Sequence, residues 1–96
     1  MRYFYRTEVD EKGVERRFSV AYDYNQASGD VIYGASVFRR DSPKESYNKE
    51  DHRRTAASRL EVRPVRITVP VATPLPEVEG LIRSAIRSYG VRGKRD

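Results

Sequence analysis

Successive side chains of a strand point to opposite faces, so apolar and polar positions alternating with period two mark a half-buried strand. Over Arg2 to Asp10, Tyr3, Tyr5, Thr7 and Val9 fall on one side and Arg2, Phe4, Arg6, Glu8 and Asp10 on the other. Glu11-Lys12-Gly13 then reads as a hairpin loop. Val14 to Tyr24 alternates more cleanly. Val14, Phe18, Val20, Tyr22 and Tyr24 share a face broken only by Arg16, against Glu15, Arg17, Ser19, Ala21 and Asp23. After the turn-rich Asn25–Asp30 comes Val31–Phe38, apolar or small on both faces: Val31, Tyr33, Ala35 and Val37 oppose Ile32, Gly34, Ser36 and Phe38. That pattern suits a central strand, and the three runs predict a meander.

The period then changes. Pro43, in the polar loop Arg40–Ser46, stops the sheet. A first helix is predicted from about Lys49 to Leu60, with Asn48 as N-cap and Asp51 three residues on, a variant capping box. Glu50 and Asp51 sit at the positive end of its dipole and Arg53, Arg54 and Arg59 follow, as the macrodipole prefers. Its apolar stripe is thin: His52, Ala56 and Leu60, with Thr55 and Ala57 beside them. Val62 to Val71 alternates again as a fourth strand, and Pro64 and Pro70 confine it to an edge. Ala72–Pro76 reads as a stiff linker. In the second helix Val78, Leu81, Ile82, Ala85, Ile86 and Tyr89 form one continuous stripe, with Pro76 in the first turn and Gly90 just past the last. Glu77, Glu79, Arg83, Arg87 and Ser88 fall on its outer face. The prediction is an α+β fold: a four-stranded, mainly antiparallel sheet, order β-β-β-α-β-α, with both helices packed on one face. Residues 1–90 form a single domain and 91–96 a flexible basic tail.

Ninety-six residues bury one modest core and leave little room for a cofactor cavity, so no cofactor is expected. The chain has no Cys and one His, which removes disulfides, thiolate nucleophiles and the usual zinc sites; no metal is expected. No apolar run approaches the roughly 20 residues of a membrane span, and charge returns at Arg6, so the expectation is a soluble cytoplasmic protein with no membrane partner. Net charge is +5, and its placement says more than its size. Residues 1–30 carry five bases against six acids, 31–72 nine against five, and 73–96 five against three. Arg outnumbers Lys fifteen to four. Either the planar fork that grips phosphate or carboxylate is favoured, or the codons of a G+C-rich genome are.

The basic excess begins where the central strand ends. Arg39, Arg40, Lys49, Arg53, Arg54, Arg59 and Arg63, with Tyr47 or Tyr33 nearby, are the candidate residues for gripping a partner or a phosphate backbone. Lys44 and Arg66 extend the run. Against this stands a solvated face whose bases pair with Glu45, Glu50, Asp51 and Glu61. Tyr3, Tyr5, Tyr22 and Tyr24 alternate on neighbouring strands, as cross-strand core pairs or as a binding patch. His52 and Asp51 are adjacent, and adjacent helical residues point about 100° apart, so they do not face one site. With no Gly-rich phosphate loop, paired carboxylates or nucleophile motif, catalytic residues are expected to be absent.

The run Tyr33-Gly-Ala-Ser-Val-Phe38, Tyr47-Asn-Lys49, Arg54-Thr-Ala-Ala-Ser-Arg-Leu60 and Arg63-Pro64 resembles a pattern in small accessory proteins of phages and mobile elements, among them anti-CRISPR-like inhibitors of host defence. The resemblance covers about a third of the chain. It implies a protein that inhibits or modulates a host protein or nucleoprotein complex by occupying its surface, in the host cytoplasm and without catalysis. The same run looks like the latter half of a double-stranded-RNA-binding domain, although Glu50 and Asp51 stand where that family has bases and its first helix is missing. Direct DNA or RNA binding through the Arg-rich helix is the alternative reading. An RNA-cleaving toxin of the RelE type is the third, despite a different order of elements. Edge pairing of the amino-terminal strand or the Pro-bearing strand would give a symmetric homodimer.

Overall fold

The computed structural model of the chain describes residues 1–9, 11–40 and 48–93, and for 39–40 and 87–93 the backbone alone. Its elements are β1 (Arg2–Val9), β2 (Glu15–Asn25), β3 (Asp30–Arg40), α1 (Lys49–Val62), β4 (Val65–Thr68) and α2 (Leu75–Gly93). The strands form one antiparallel sheet in the order β1-β2-β3-β4. Fold class and order of elements are as the sequence predicts.

The layers are not. Phe18, Val20, Tyr22, Val31 and Tyr33 form a core with Val78, Ile82 and Ile86 of α2. Ala21 lies on the other side of β2, in a second cluster with Ala56 and Leu60 of α1 and with Tyr3 and Ile32 beside them. The helices therefore cover opposite faces, correcting the expectation that both pack on one. The physical reason is β3 itself, whose two faces both need cover: Val31 and Tyr33 meet α2, while Ile32 and Gly34 meet α1.

α1 is a polar helix, and small residues let it lie close to the sheet. A Cβ placed on Gly34 would stand 2.3 Å from the Leu60 amide nitrogen and 2.4 Å from the Ala56 carbonyl oxygen. α2 stands off on larger side chains. Full burial of Val78, Ile82 and Ile86 stabilises it by about 1.5–3 kcal/mol each. Leu81, predicted in the same stripe, is instead 44% exposed at its flank.

Boundaries shift for local reasons. Val62 ends α1 and does not open a strand, and β4 keeps only four of the five residues between Pro64 and Pro70, which cannot donate to a ladder. β4 is an outer strand, as its prolines require. α2 begins at Leu75, inside the predicted linker, and runs through Gly90 to Gly93. The segment after β4 turns around the end of the sheet to reach the second face. The Val69 amide donates to the Gly29 carbonyl (2.8 Å), and Tyr24 donates its hydroxyl to the Thr73 carbonyl (3.0 Å). Gly29, at φ +78°, is required there, because a Cβ would meet the Val69 carbonyl oxygen at 2.1 Å.

Candidate partner-binding surface

Asn48 fixes where α1 starts: its Oδ1 accepts from the Asp51 amide at 3.1 Å, as predicted for an N-cap. Lys49 and Arg53 are then four residues apart, about 6 Å along the helix axis. Tyr3 and Tyr5 are two residues apart on one face of β1, about 6.7 Å along the strand. The two spacings match, and the side chains meet in order. Lys49 Nζ lies 4.1 Å from the centre of the Tyr5 ring, and the Arg53 guanidinium lies 4.3 Å from that of Tyr3. Two cations stacked on two aromatic rings thus tie the first half of α1 to the outer strand, with both cations exposed.

Among the described side chains, the other predicted residues do not join them. Arg54 faces Glu50 at 3.7 Å, with side chains 74% and 81% exposed, a solvated pair worth little. Arg59 donates from Nη1 to the Ala35 carbonyl at 2.6 Å. Arg63 follows α1 as its C-cap, its amide donating to the Arg59 carbonyl at 2.9 Å, with its side chain in solvent. Arg39 and Arg40 end β3 opposite Arg16 and Glu15. Tyr47 lies outside the described residues. Tyr33, the other aromatic nominated, is buried in the α2 core and faces away from α1. Tyr3 and Tyr5 therefore supply the aromatic half of the surface. The sequence offered a sign of this in their shared face, but nothing local paired them with Lys49 and Arg53. The cross-strand pairing expected of Tyr3 and Tyr5 with Tyr22 and Tyr24 does not occur, since Tyr3 stands opposite Ala21 and Tyr22 opposite Arg2.

His52 turns inward. Its Nδ1 is 2.5 Å from Ser36 Oγ, and its ring meets Phe38 edge-on at 5.4 Å. A hydroxyl touching an imidazole is the contact a nucleophile and its base would make. Ser36, however, is only 4% exposed beneath the helix, so a substrate carbonyl has no approach to it. The pair acts as a polar clamp between α1 and β3.

The opposite face holds its own charged pair. Arg83, predicted on the outer face of α2, is 9% exposed: its guanidinium pairs with the Glu8 carboxylate and stacks 4.2 Å above the Phe18 ring. Glu79, one turn earlier, accepts from the buried Tyr22 hydroxyl at 2.8 Å. Burial first, then the Glu79 hydrogen bond and charge, raise the pKa of that hydroxyl.

Among the described residues no group of three or more His, Asp or Glu side chains could hold a metal ion. No described helix is long and apolar enough to cross a membrane. Compared with protein-family models, with curated proteins and with solved structures, the chain matches none.

Proposed function

We propose that the chain is a small basic binding protein, without a reactive centre, that occupies the surface of an anionic partner through the face made by β1 and the first half of α1. The observation that carries this reading is the pairing of Lys49 with Tyr5 and Arg53 with Tyr3. Tyr and Arg dominate the energetically important positions of protein interfaces. A cation already stacked on a ring loses less rotamer freedom when a partner docks than one free in solvent. The likeness of the Tyr33–Arg63 run to accessory proteins of phages and mobile elements supports a host nucleoprotein complex as the partner, met in the host cytoplasm. Direct binding to DNA or RNA is the second reading, supported by the same two exposed cations.

The chain immobilised in a bacterial lysate, with and without nuclease, tests the proposal. A defined partner retained after nuclease treatment, and lost by the Lys49→Ala/Arg53→Ala variant, is the expected result. Retention that vanishes with nuclease favours direct nucleic-acid binding. Recovery of background alone, or equal recovery by the variant, overturns the surface.

A further inference from the structure

The two edges of the sheet are treated differently. On the β4 side the outer strand is four residues long and flanked by Pro64 and Pro70. Beyond it, the carbonyl of Ala35 on β3 is capped by Arg59. Short strands, prolines and charged side chains are the usual means of stopping edge-to-edge pairing. β1 is neither short nor proline-bearing, and its charged residues, Arg2, Arg6 and Glu8, all lie on one face of the strand. Its eight residues pair with β2 without interruption, contain no Pro or Gly, and are rich in the aromatic and β-branched residues that strands favour.

The phase of the ladder shows which groups β1 leaves outward. The Val69 amide bonds the Gly29 carbonyl, so odd-numbered residues of β3 turn their amide and carbonyl groups toward β4, and even-numbered ones toward β2. Through the two registers, even-numbered residues of β1 face β2. Tyr3, Tyr5, Thr7 and Val9 therefore direct their backbone donors and acceptors away from the sheet.

We infer that β1 pairs antiparallel with β1 of a second copy, about a twofold axis through Tyr5, joining the two sheets into one of eight strands. Charge complementarity selects the register. With Tyr5 opposite Tyr5, Tyr3 faces Thr7, and the outward groups of all three residues are bonded. On the other face Arg2 then stands opposite Glu8 twice, and Phe4 opposite Arg6 twice. A slip of one residue in either strand breaks the match of faces. A slip of two sets Arg6 against Arg6 or Arg2 against Arg6, and like charges directly opposite are unfavourable. Glu8 keeps a second carboxylate oxygen for Arg2 while it holds Arg83. α1 packs chiefly over β3 and β2 and reaches β1 through the Lys49 and Arg53 side chains, which lie over the rings of Tyr5 and Tyr3 on one face and not along the outward backbone edge. One strand pair buries less than a standard interface, so the association is reversible. The inference is independent of the partner proposed above.

Light scattering on the full chain across a concentration series is the first test, with a mass rising from 11.1 kDa toward twice that value as the expected result. Arg2→Glu, which sets two carboxylates opposite each other, raises the dissociation constant about tenfold or more. The chain has no cysteine, so single thiols report the register. Tyr5→Cys places two Cα atoms about 5.5 Å apart across the axis, and a short bis-thiol reagent joins them. Val9→Cys, on an exposed side chain, places them roughly 26 Å apart along the ladder, and the same reagent does not. A mass fixed at 11.1 kDa at the highest soluble concentration overturns the inference, leaving β1 open to an extended segment of another protein. A dimer in which Val9→Cys crosslinks and Tyr5→Cys does not overturns it equally.

Discussion

Gly34 carries the backbone of α1: a methyl group at its Cα would lie 2.3 Å from the Leu60 amide nitrogen. Backbone cannot swing aside as a side-chain tip can, so helix and strand must separate. Gly34→Ala is expected to lower stability by about 1–3 kcal/mol or more through overpacking. The loss reads out as an earlier urea midpoint. Because Ser36 and His52 belong to the same contact, the His52 ring resonances should shift with it. A variant as stable as the parent would mean that α1 does not rest on β3 at this point.

Glu8 and Arg83 are 75 positions apart and meet on the α2 face. Removing one member of a buried pair leaves the other uncompensated, at about 3–5 kcal/mol when both are fully buried. Here the Glu8 side chain is about a third exposed, so Glu8→Gln should cost less, about 1–3 kcal/mol. Arg83→Met keeps apolar cover over Phe18 and should cost less than Arg83→Ala. Chemical unfolding of the three variants checks the order, and a Met variant worse than the Ala variant would contradict it.

The strands were legible in the sequence because period-two alternation reports burial directly, and Pro64 and Pro70 placed β4 at an edge for a chemical reason. The helix faces were harder. Val31–Phe38 is apolar or small on both sides, which was the sign that both faces are covered, but the thin stripe of α1, with only Ala56 and Leu60 buried, did not show that this helix takes the second face. Arg83 was misplaced because its partners, Glu8 and Phe18, lie on distant strands and a helical pattern alone treats any arginine as outward. The basic surface was legible only in part. Lys49 and Arg53 were named, while the described rings they meet come from β1 and not from the nearby Tyr33. Proximity along the chain is a poor guide when strand pairing decides who meets whom.

Tyr22 donates its hydroxyl to Glu79, and burial holds that hydroxyl protonated to higher pH than in the unfolded chain. The neutral phenol therefore contributes stability that is complete below about pH 10, the ordinary tyrosine value, and is lost as pH rises beyond it. The slope is up to about 1.4 kcal/mol per pH unit. Tyr22→Phe should cost about 0.5–1.5 kcal/mol at neutral pH by removing the hydrogen bond, and should flatten the alkaline loss. Urea unfolding of both proteins at neutral and alkaline pH makes the comparison. Parallel alkaline curves would assign the loss to other groups.

Arg53 and Arg54 are neighbours in sequence, yet about 100° apart around the helix, and their surroundings differ in kind. Arg53 is stacked on Tyr3, whereas Arg54 faces, among the described residues, a solvated carboxylate at 3.7 Å. The stack orders one guanidinium before any partner arrives, so less side-chain entropy is lost on binding. If the β1–α1 face is the docking surface, Arg53→Ala should weaken affinity for the recovered partner about tenfold or more, a loss of about 1.4 kcal/mol. Arg54→Ala should change it less than about threefold, as expected for an exposed rim charge. Arg53→Lys keeps the charge but loses the planar stack, and should fall between the two. Calorimetric titration of the four proteins at one ionic strength checks this ranking. Equal losses at Arg53 and Arg54 would show that charge alone matters and that the ring beneath Arg53 contributes nothing to recognition.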